Sequence, residues 1–132
     1  MDPGERWSTR IDEGVLVVEF PHGTGISPVA GEALLDRWRS LVVTPRIEAV
    51  VVVVRTDRPC SDAGRRTLRR SVAVALEHGV TRFAVVAERP KRRYLERTLD
   101  VGGVEIVPFN DEATALGWAK RDSASATHGS LV

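Results

Sequence analysis

The stretch Ile47-Glu48-Ala49-Val50-Val51-Val52-Val53-Val54 decides the fold of this chain. It is almost continuously β-branched, and β-branched side chains favour the pleated backbone of a strand. Strands that are buried on both faces have such uninterrupted apolar runs. The stretch therefore predicts a central strand covered by helices on both sides. The polar segment Arg55–Cys60, which contains a proline, predicts a loop at the carboxyl end of that strand.

A hairpin and a first helix are predicted before the central strand. Gly14–Phe20 is a Val-rich strand pattern, and the weaker alternation in Trp7–Thr9 predicts a partner strand with a turn near Asp12–Gly14. Ser27 and Pro28 are typical of a helix start, because serine caps free N–H groups and proline is preorganised for the first helical position. Apolar residues at helical spacing predict the buried stripe of that helix, namely Ala30, Leu34, Trp38 and Leu41.

Strands and helices alternate regularly after the central strand. Ser61 or Asp62 is predicted to cap a second helix that ends before Gly79. The elements predicted next are a strand over Phe83–Ala87, a helix opened by Pro90, a strand over Val104–Phe109, and a helix capped by Asn110 that runs through Trp118. This alternation predicts an α/β fold with a four- to five-stranded mixed, mostly parallel sheet. About four helices are expected to pack against it.

The length of 132 residues predicts one domain that can bury a core without disulfides or metals. Its expected limits are 7–121. Residues 1–6 are predicted to be a flexible N-terminus, and 122–132, rich in Ser, Ala, Thr and Gly, a disordered tail.

The charge, hydropathy and cysteine content of the chain disfavour several classes of function. A formal net charge of only +1 gives the molecule no strong field with which to attract nucleic acid or anionic lipid. No apolar run is long enough to cross a bilayer, so no membrane insertion is expected. The lone Cys60 cannot form an internal disulfide, which favours a reducing compartment and a cytoplasmic location.

Residues typical of catalytic or metal sites are not arranged in recognisable patterns. His22, His78 and His128 lie in unrelated segments without the spacing of metal ligands. No nucleophile, base and acid have a spacing that identifies a catalytic set. The sequence therefore predicts no metal, no cofactor and no enzymatic activity.

Two short motifs and the order of elements carry a resemblance. The central strand leads through a loop into Ser61-Asp62-Ala63-Gly64 at the start of the second helix, and Phe109-Asn110-Asp111-Glu112-Ala113 forms a later turn. This arrangement, over about Trp7–Lys120, resembles the STAS family, the domains of sulphate transporters and anti-sigma factor antagonists. The resemblance is to an antagonist-like branch of unknown function. It implies a STAS-like fold and a non-enzymatic, regulatory protein–protein interaction module in signalling.

The second-helix motif departs from the family pattern. The family has Asp-Ser-Ser-Gly there, and alignment on Gly64 places Asp62 where antagonists have their phosphorylatable serine, with Ser61 one position earlier. One interpretation is a switch surface with a permanent negative charge. The other is an ordinary helix cap. If the alignment with the family is shifted by one residue, Ser61 becomes the phosphate acceptor instead.

Arginines are concentrated on the second and third helices. The residues concerned are Arg65, Arg66, Arg69 and Arg70 on the second, with Arg89, Arg92, Arg93 and Arg97, and also Lys91, on the third. Neighbouring helices would combine them into a basic patch that binds a carboxylate-rich or phosphate-bearing partner. Alternatively they form a solvated face that Glu77, Glu88, Glu96 and Asp100 neutralise. No aromatic residues alternate with them, which disfavours nucleic-acid binding.

The resemblance implies a regulatory partner for this surface: a kinase, a sigma-factor control protein, or a second copy of the chain as a homodimer. A different function remains open, because this branch is distantly akin to lipid-binding SEC14 domains. The alternative is a small-ligand or lipid carrier that uses an apolar crevice between the first helix and the sheet, near Trp38.

Overall fold

The computed structural model describes residues 7–20, 28–42, 47–55 and 62–129. The elements in these ranges are β1 (Ser8–Asp12), β2 (Val15–Phe20), α1 (Pro28–Val42), β3 (Ala49–Val54), α2 (Asp62–Glu77), β4 (Arg82–Val86), α3 (Arg89–Leu99), β5 (Glu105–Phe109) and α4 (Glu112–Gly129). Their order confirms the predicted hairpin and the alternation of strand and helix. Ser61 lies outside the described residues.

The β1–β2 hairpin turns through two residues. Glu13 and Gly14 both have positive φ, 50° and 81°. Positive φ at both central positions is the geometry of the type I′ turn, whose twist matches that of the flanking strands. The turn pairs Asp12 with Val15 and sets the antiparallel register of the two strands.

The valine-rich stretch forms the central strand, as predicted. The sheet has the order β1-β2-β3-β4-β5, with one antiparallel pair at β1–β2 and parallel pairing from β2 to β5. From Ala49 to Val53 no residue of β3 is more than 3% exposed. The α/β fold and the mixed, mostly parallel sheet are therefore confirmed.

Three helices cover one face of the sheet and α4 covers the other. Alternate residues of each strand point to opposite faces, so β3 contributes to two cores. Val50 and Val52 pack in the core below α1, α2 and α3, whereas Val51 and Val53 pack in the core below α4. Burial on both sides explains why no polar residue interrupts β3.

The end of α4 differs from the predicted one. The helix runs to Gly129, beyond the expected end near Trp118 and into the segment 122–132 that was expected to be disordered. Between Gly117 and Gly129 the sequence contains neither glycine nor proline, and each further residue adds a hydrogen bond to a helix that packing has already nucleated. Residues 1–6 and 130–132 lie outside the described residues.

Candidate functional site

The starts of three helices meet at one edge of the sheet. β2 to β5 run parallel, so their carboxyl ends lie along the same edge. Soon after these ends come Asp62, Arg89 and Glu112, the first residues of α2, α3 and α4. The fold therefore brings the predicted switch motif and the predicted third-helix arginines to the same edge.

Asp62 is the first residue of α2 and its side chain is 79% exposed. Its carboxylate forms an ion pair with Arg65, one turn further along the helix. A negative charge at this position also faces the positive end of the helix dipole. Gly64, which completes the motif, is buried against the core. The motif thus combines one exposed charge with one buried, close-packed position.

The four arginines of α2 are exposed, but they lie on two different flanks. Arg69 donates from its Nη1 to the carbonyl oxygen of Thr98 in α3, at 3.4 Å. Arg70 donates to Oε1 of Glu32 in α1, at 2.9 Å. Residues four apart share a flank of a helix. Arg65 and Arg69 therefore lie toward α3, and Arg66 and Arg70 toward α1, so the predicted single patch is divided.

A ridge of arginines runs along the exposed side of α3. Arg89, Arg93 and Arg97 are spaced four residues apart and are all exposed; we refer to these three as the arginine ridge. Within the described ranges, the side chains of these three arginines form no hydrogen bond or ion pair. Arg92, which was expected in the same patch, is half-buried and donates to Oδ1 of Asn110 at 2.7 Å. The ridge therefore includes Arg97 and excludes Arg92.

Four carboxylates near α2 and α3 were expected to neutralise this surface. Over the ranges that the structure describes, none of Glu77, Glu88, Glu96 and Asp100 forms an ion pair with an arginine. Oδ1 of Asp100 accepts a hydrogen bond from the Gly102 amide. Within its own length α3 has five cationic side chains and one carboxylate. Three of these five cationic side chains, those of the arginine ridge, are exposed.

A second charged cluster joins β1, β2, the residue that follows β3, and the start of α4. Arg55 lies 3.0 Å from Oε2 of Glu19 and 3.4 Å from Oε1 of Glu112. The other carboxylate oxygen of Glu112 accepts from Arg10 at 2.7 Å. The cluster has two arginines and two glutamates, so its charge is balanced and it fastens the start of α4 to the sheet. The sequence does not reveal this cluster, because its residues come together only when the strands are ordered in the sheet.

The cap of α4 is Asp111, and the prediction of Asn110 was wrong. The Thr114 amide donates to Oδ1 of Asp111 at 2.8 Å, and the Thr114 hydroxyl to Oδ2 at 3.0 Å. These hydrogen bonds, the amide bond first, lower the pKa of Asp111. Asp111 precedes the third helical residue by three positions, which is the geometry of a side-chain cap. Asn110 lies one residue too early and binds Arg92 instead.

The crevice expected near Trp38 is almost filled. Between α1, α2 and the sheet, the described residues leave a cavity of about 10 Å³ beside Trp38, Ser71 and Phe83. Such a volume holds one water molecule at most, whereas ligand pockets measure about 300–1,000 Å³.

The described ranges contain no group of three His, Cys, Asp or Glu side chains that could hold a metal ion. No helix in the same ranges is both long enough and apolar enough to span a membrane.

Comparison with known proteins supports the fold alone. No family of proteins matches the sequence, and no curated protein matches it. Among solved structures, the chain is similar to the NMR structure of the protein TM1081, with a TM-score of 0.62 and 14% sequence identity. The similarity covers 86% of this chain and 87% of the other. At this level of identity the two chains share an α/β fold.

Proposed function

We propose that this protein is a non-enzymatic, regulatory protein–protein interaction module of the anti-sigma factor antagonist kind. Its contact surface consists of α3 with the adjoining flank of α2, and its partner is a regulatory kinase or a sigma-factor control protein with a carboxylate-rich surface. The observation that carries the proposal is the arginine ridge, whose three exposed guanidinium groups have no ion-pair partner among the described residues.

The energetics of the ridge favour a binding role. Like charges four residues apart on a helix destabilise it by a few tenths of a kcal/mol per pair. Arg89, Arg93 and Arg97 make two such pairs, and none of the three forms an ion pair with a described carboxylate. A planar guanidinium forms paired, charge-assisted hydrogen bonds with a carboxylate, and arginine is enriched at protein interfaces. A carboxylate-rich partner would remove the repulsion and use these donors.

Asp62 extends the proposed surface at the same edge of the sheet, where it would meet a cationic group of the partner beside the carboxylates that bind the arginine ridge. It carries an exposed negative charge at the position where the resemblance implies a phosphorylatable serine. A fixed carboxylate supplies part of the charge of a phosphate without a kinase. We therefore propose that the surface binds its partner without a phosphorylation switch at position 62.

Charge reversal on the ridge tests the proposal. The protein captures its partner from a lysate of the source organism, the partner is identified by mass spectrometry, and binding of the purified pair is measured by calorimetry. Arg93→Glu is expected to weaken binding at least about tenfold, because it replaces an attraction at the centre of the ridge by a repulsion.

The matched control for this experiment is Arg39→Glu. Arg39 is exposed on the last turn of α1, away from the ridge, and among the described residues it pairs with Asp36 on its own helix. Unchanged binding by Arg39→Glu is expected. Equal losses in the two variants would mean that the partner responds to net charge, and normal binding by Arg93→Glu would overturn the proposed surface.

A further inference from the structure

The outer edge of β1 has backbone groups that no other strand of the sheet uses. β1 is the first strand in the sheet order and pairs only with β2. In a two-residue turn the carbonyl of Asp12 accepts from the amide of Val15, and bonded and non-bonded pairs alternate from there. The N–H and C=O groups of Arg10 therefore face β2. Those of Thr9 and Ile11 face outward.

The two edges of the sheet differ in their capacity to accept a strand. β5 contains Pro108, which has no N–H group and interrupts a hydrogen-bond ladder. β1 contains no proline. Ile11 also lies on the β1 edge, with 42% of its surface exposed. No other large hydrophobic residue in the described ranges is exposed. An extended edge with an exposed aliphatic side chain is a template for strand addition.

We propose that a second copy of this chain pairs with the β1 edge in antiparallel orientation, with Ile11 of both copies on the two-fold axis. Ile11 then exchanges its N–H and C=O groups with Ile11 of the other copy, and the two five-stranded sheets become continuous. In this register Arg10 lies opposite Asp12 of the other copy, and Asp12 opposite Arg10. A two-fold interface repeats each contact, so two opposite-charge pairs flank one aliphatic pair.

Electrostatics favours this register over its neighbours. A two-fold axis at Arg10 would place arginine opposite arginine, and an axis at Asp12 would place aspartate opposite aspartate. An axis at Thr9 would place two Arg37 side chains close together, because Arg37 donates to Oγ1 of Thr9 at 3.3 Å. Like charges directly opposite one another destabilise a strand pair. Only the axis at Ile11 pairs opposite charges.

This dimer would leave the proposed partner surface accessible. β1 lies at one end of the sheet, whereas α3 packs on β4 and β5 at the other end. The dimer would thus present two arginine ridges. Because the proposal rests on the β1 edge alone, it stands or fails independently of the function proposed for α3.

Charge exchange across the axis tests the pairing. The dissociation constant of the dimer is measured by analytical ultracentrifugation for the whole chain and for Arg10→Asp, Asp12→Arg and the double variant. Each single change makes both cross-strand pairs repulsive, and we expect the dissociation constant to rise about tenfold or more. The double variant restores opposite charges and is expected to return to within about threefold of the original value.

The double variant also separates pairing across the axis from effects within one chain. Arg10 pairs with Glu112 and Asp12 with Lys120 in the same chain. Both of these pairs become repulsive in the double variant, so recovery of the dimer requires the contact between copies. A double variant as weak as the single ones would overturn the register.

Disulfide trapping tests the position of the axis in a Cys60→Ser background. Residues opposite one another in a hydrogen-bonded pair have Cα atoms about 5.5 Å apart, within disulfide range. Ile11→Cys is expected to give a covalent dimer under mild oxidation, whereas Thr9→Cys is expected to remain a monomer.

A covalent dimer from Thr9→Cys alone would overturn the proposed axis. A chain that is monomeric at all concentrations would overturn the dimer, as would one that dimerises only after removal of residues 1–6.

Discussion

Nε1 of Trp38 donates a hydrogen bond of 2.7 Å to the carbonyl oxygen of Ser71. The indole is only 2% exposed, so this bond lies inside the core and joins α1 to α2. The Ser71 hydroxyl in turn donates to the carbonyl oxygen of Leu68, also at 2.7 Å. The position of α1 on the sheet therefore depends on a polar contact as well as on apolar packing.

Trp38→Phe is expected to lower the free energy of unfolding by about 1–3 kcal/mol. The change removes one buried hydrogen bond and leaves part of the indole volume empty. Urea denaturation measures the loss. Trp118→Phe is the matched control, because Trp118 is half-exposed and phenylalanine keeps an aromatic face for Arg82, which lies 4.5 Å from the ring centre. Equal losses in the two variants would contradict the importance of the Trp38–Ser71 bond.

Asp62→Asn removes the charge at the start of α2 while keeping the shape of the side chain. Asp62 is the first helical residue, so the change costs only its exposed ion pair with Arg65 and its favourable position at the helix N-terminus, about 0.3–1 kcal/mol, while partner binding falls. Asp62→Ala removes the same charge and should weaken binding with a similarly small loss of stability. Thermal unfolding and calorimetric binding are measured for both variants. Normal binding by Asp62→Asn would leave Asp62 with a structural role only.

Asp111→Asn is expected to make the stability of the protein less dependent on pH in the acid range. The hydrogen bonds from Thr114 lower the pKa of Asp111 in the folded protein. A carboxyl whose folded pKa is lowered stabilises the fold above its unfolded pKa of about 3.9, and this stabilisation is lost as the pH falls through the folded pKa. Asparagine caps the helix without titrating. The variant and the unmodified protein should therefore have similar unfolding temperatures at pH 7. Between pH 7 and pH 3 the unfolding temperature of the variant should fall by less.

The control for the acid experiment is Asp36→Asn, which removes an exposed carboxylate from the middle of α1. We expect this variant to follow the unmodified protein through the acid range. If the unfolding temperature of Asp111→Asn also changes with pH as that of the unmodified protein does, the cap makes no contribution to acid sensitivity.

Removal of residues 123–132 is expected to leave the melting temperature nearly unchanged. The described contacts of α4 with the core come from Ala115, Leu116, Trp118 and Ala119, all before that segment. The ion pair of Lys120 with Asp12, at 2.9 Å, is also retained. Removal of residues 117–132 is the comparison and should lower the melting temperature strongly. A large drop from the shorter truncation would show that the end of α4 is docked.

The fold could be predicted because its signals are local. Uninterrupted valines identify β3 as a strand with two covered faces, and the turn residues before Val15 identify the hairpin. Proline and glycine mark most helix ends. The cap of α4 was missed because Asn110 and Asp111 are both good caps, and the choice depends on Arg92, which captures Asn110 across the fold.

The candidate site could be predicted only in part, because a surface depends on the relative rotation of helices. Composition identifies the basic character of α2 and α3 but not which flank each arginine faces. Arg70 contacts Glu32 on the preceding helix, and Arg69 contacts α3. The cluster at Glu112 joins residues that are 57 and 102 positions apart, a separation at which sequence patterns carry no signal.

Among the described elements, α4 is the helix that covers the second face of the sheet, and it is synthesised last. α4 follows all five strands in the chain, so Val15, Val17, Val51 and Val53 are translated long before the helix that covers them. Until α4 docks, the nascent chain presents a valine-rich strand surface to the surrounding medium. Such surfaces aggregate readily, and the chain is therefore most vulnerable in the interval between translation of β5 and docking of α4.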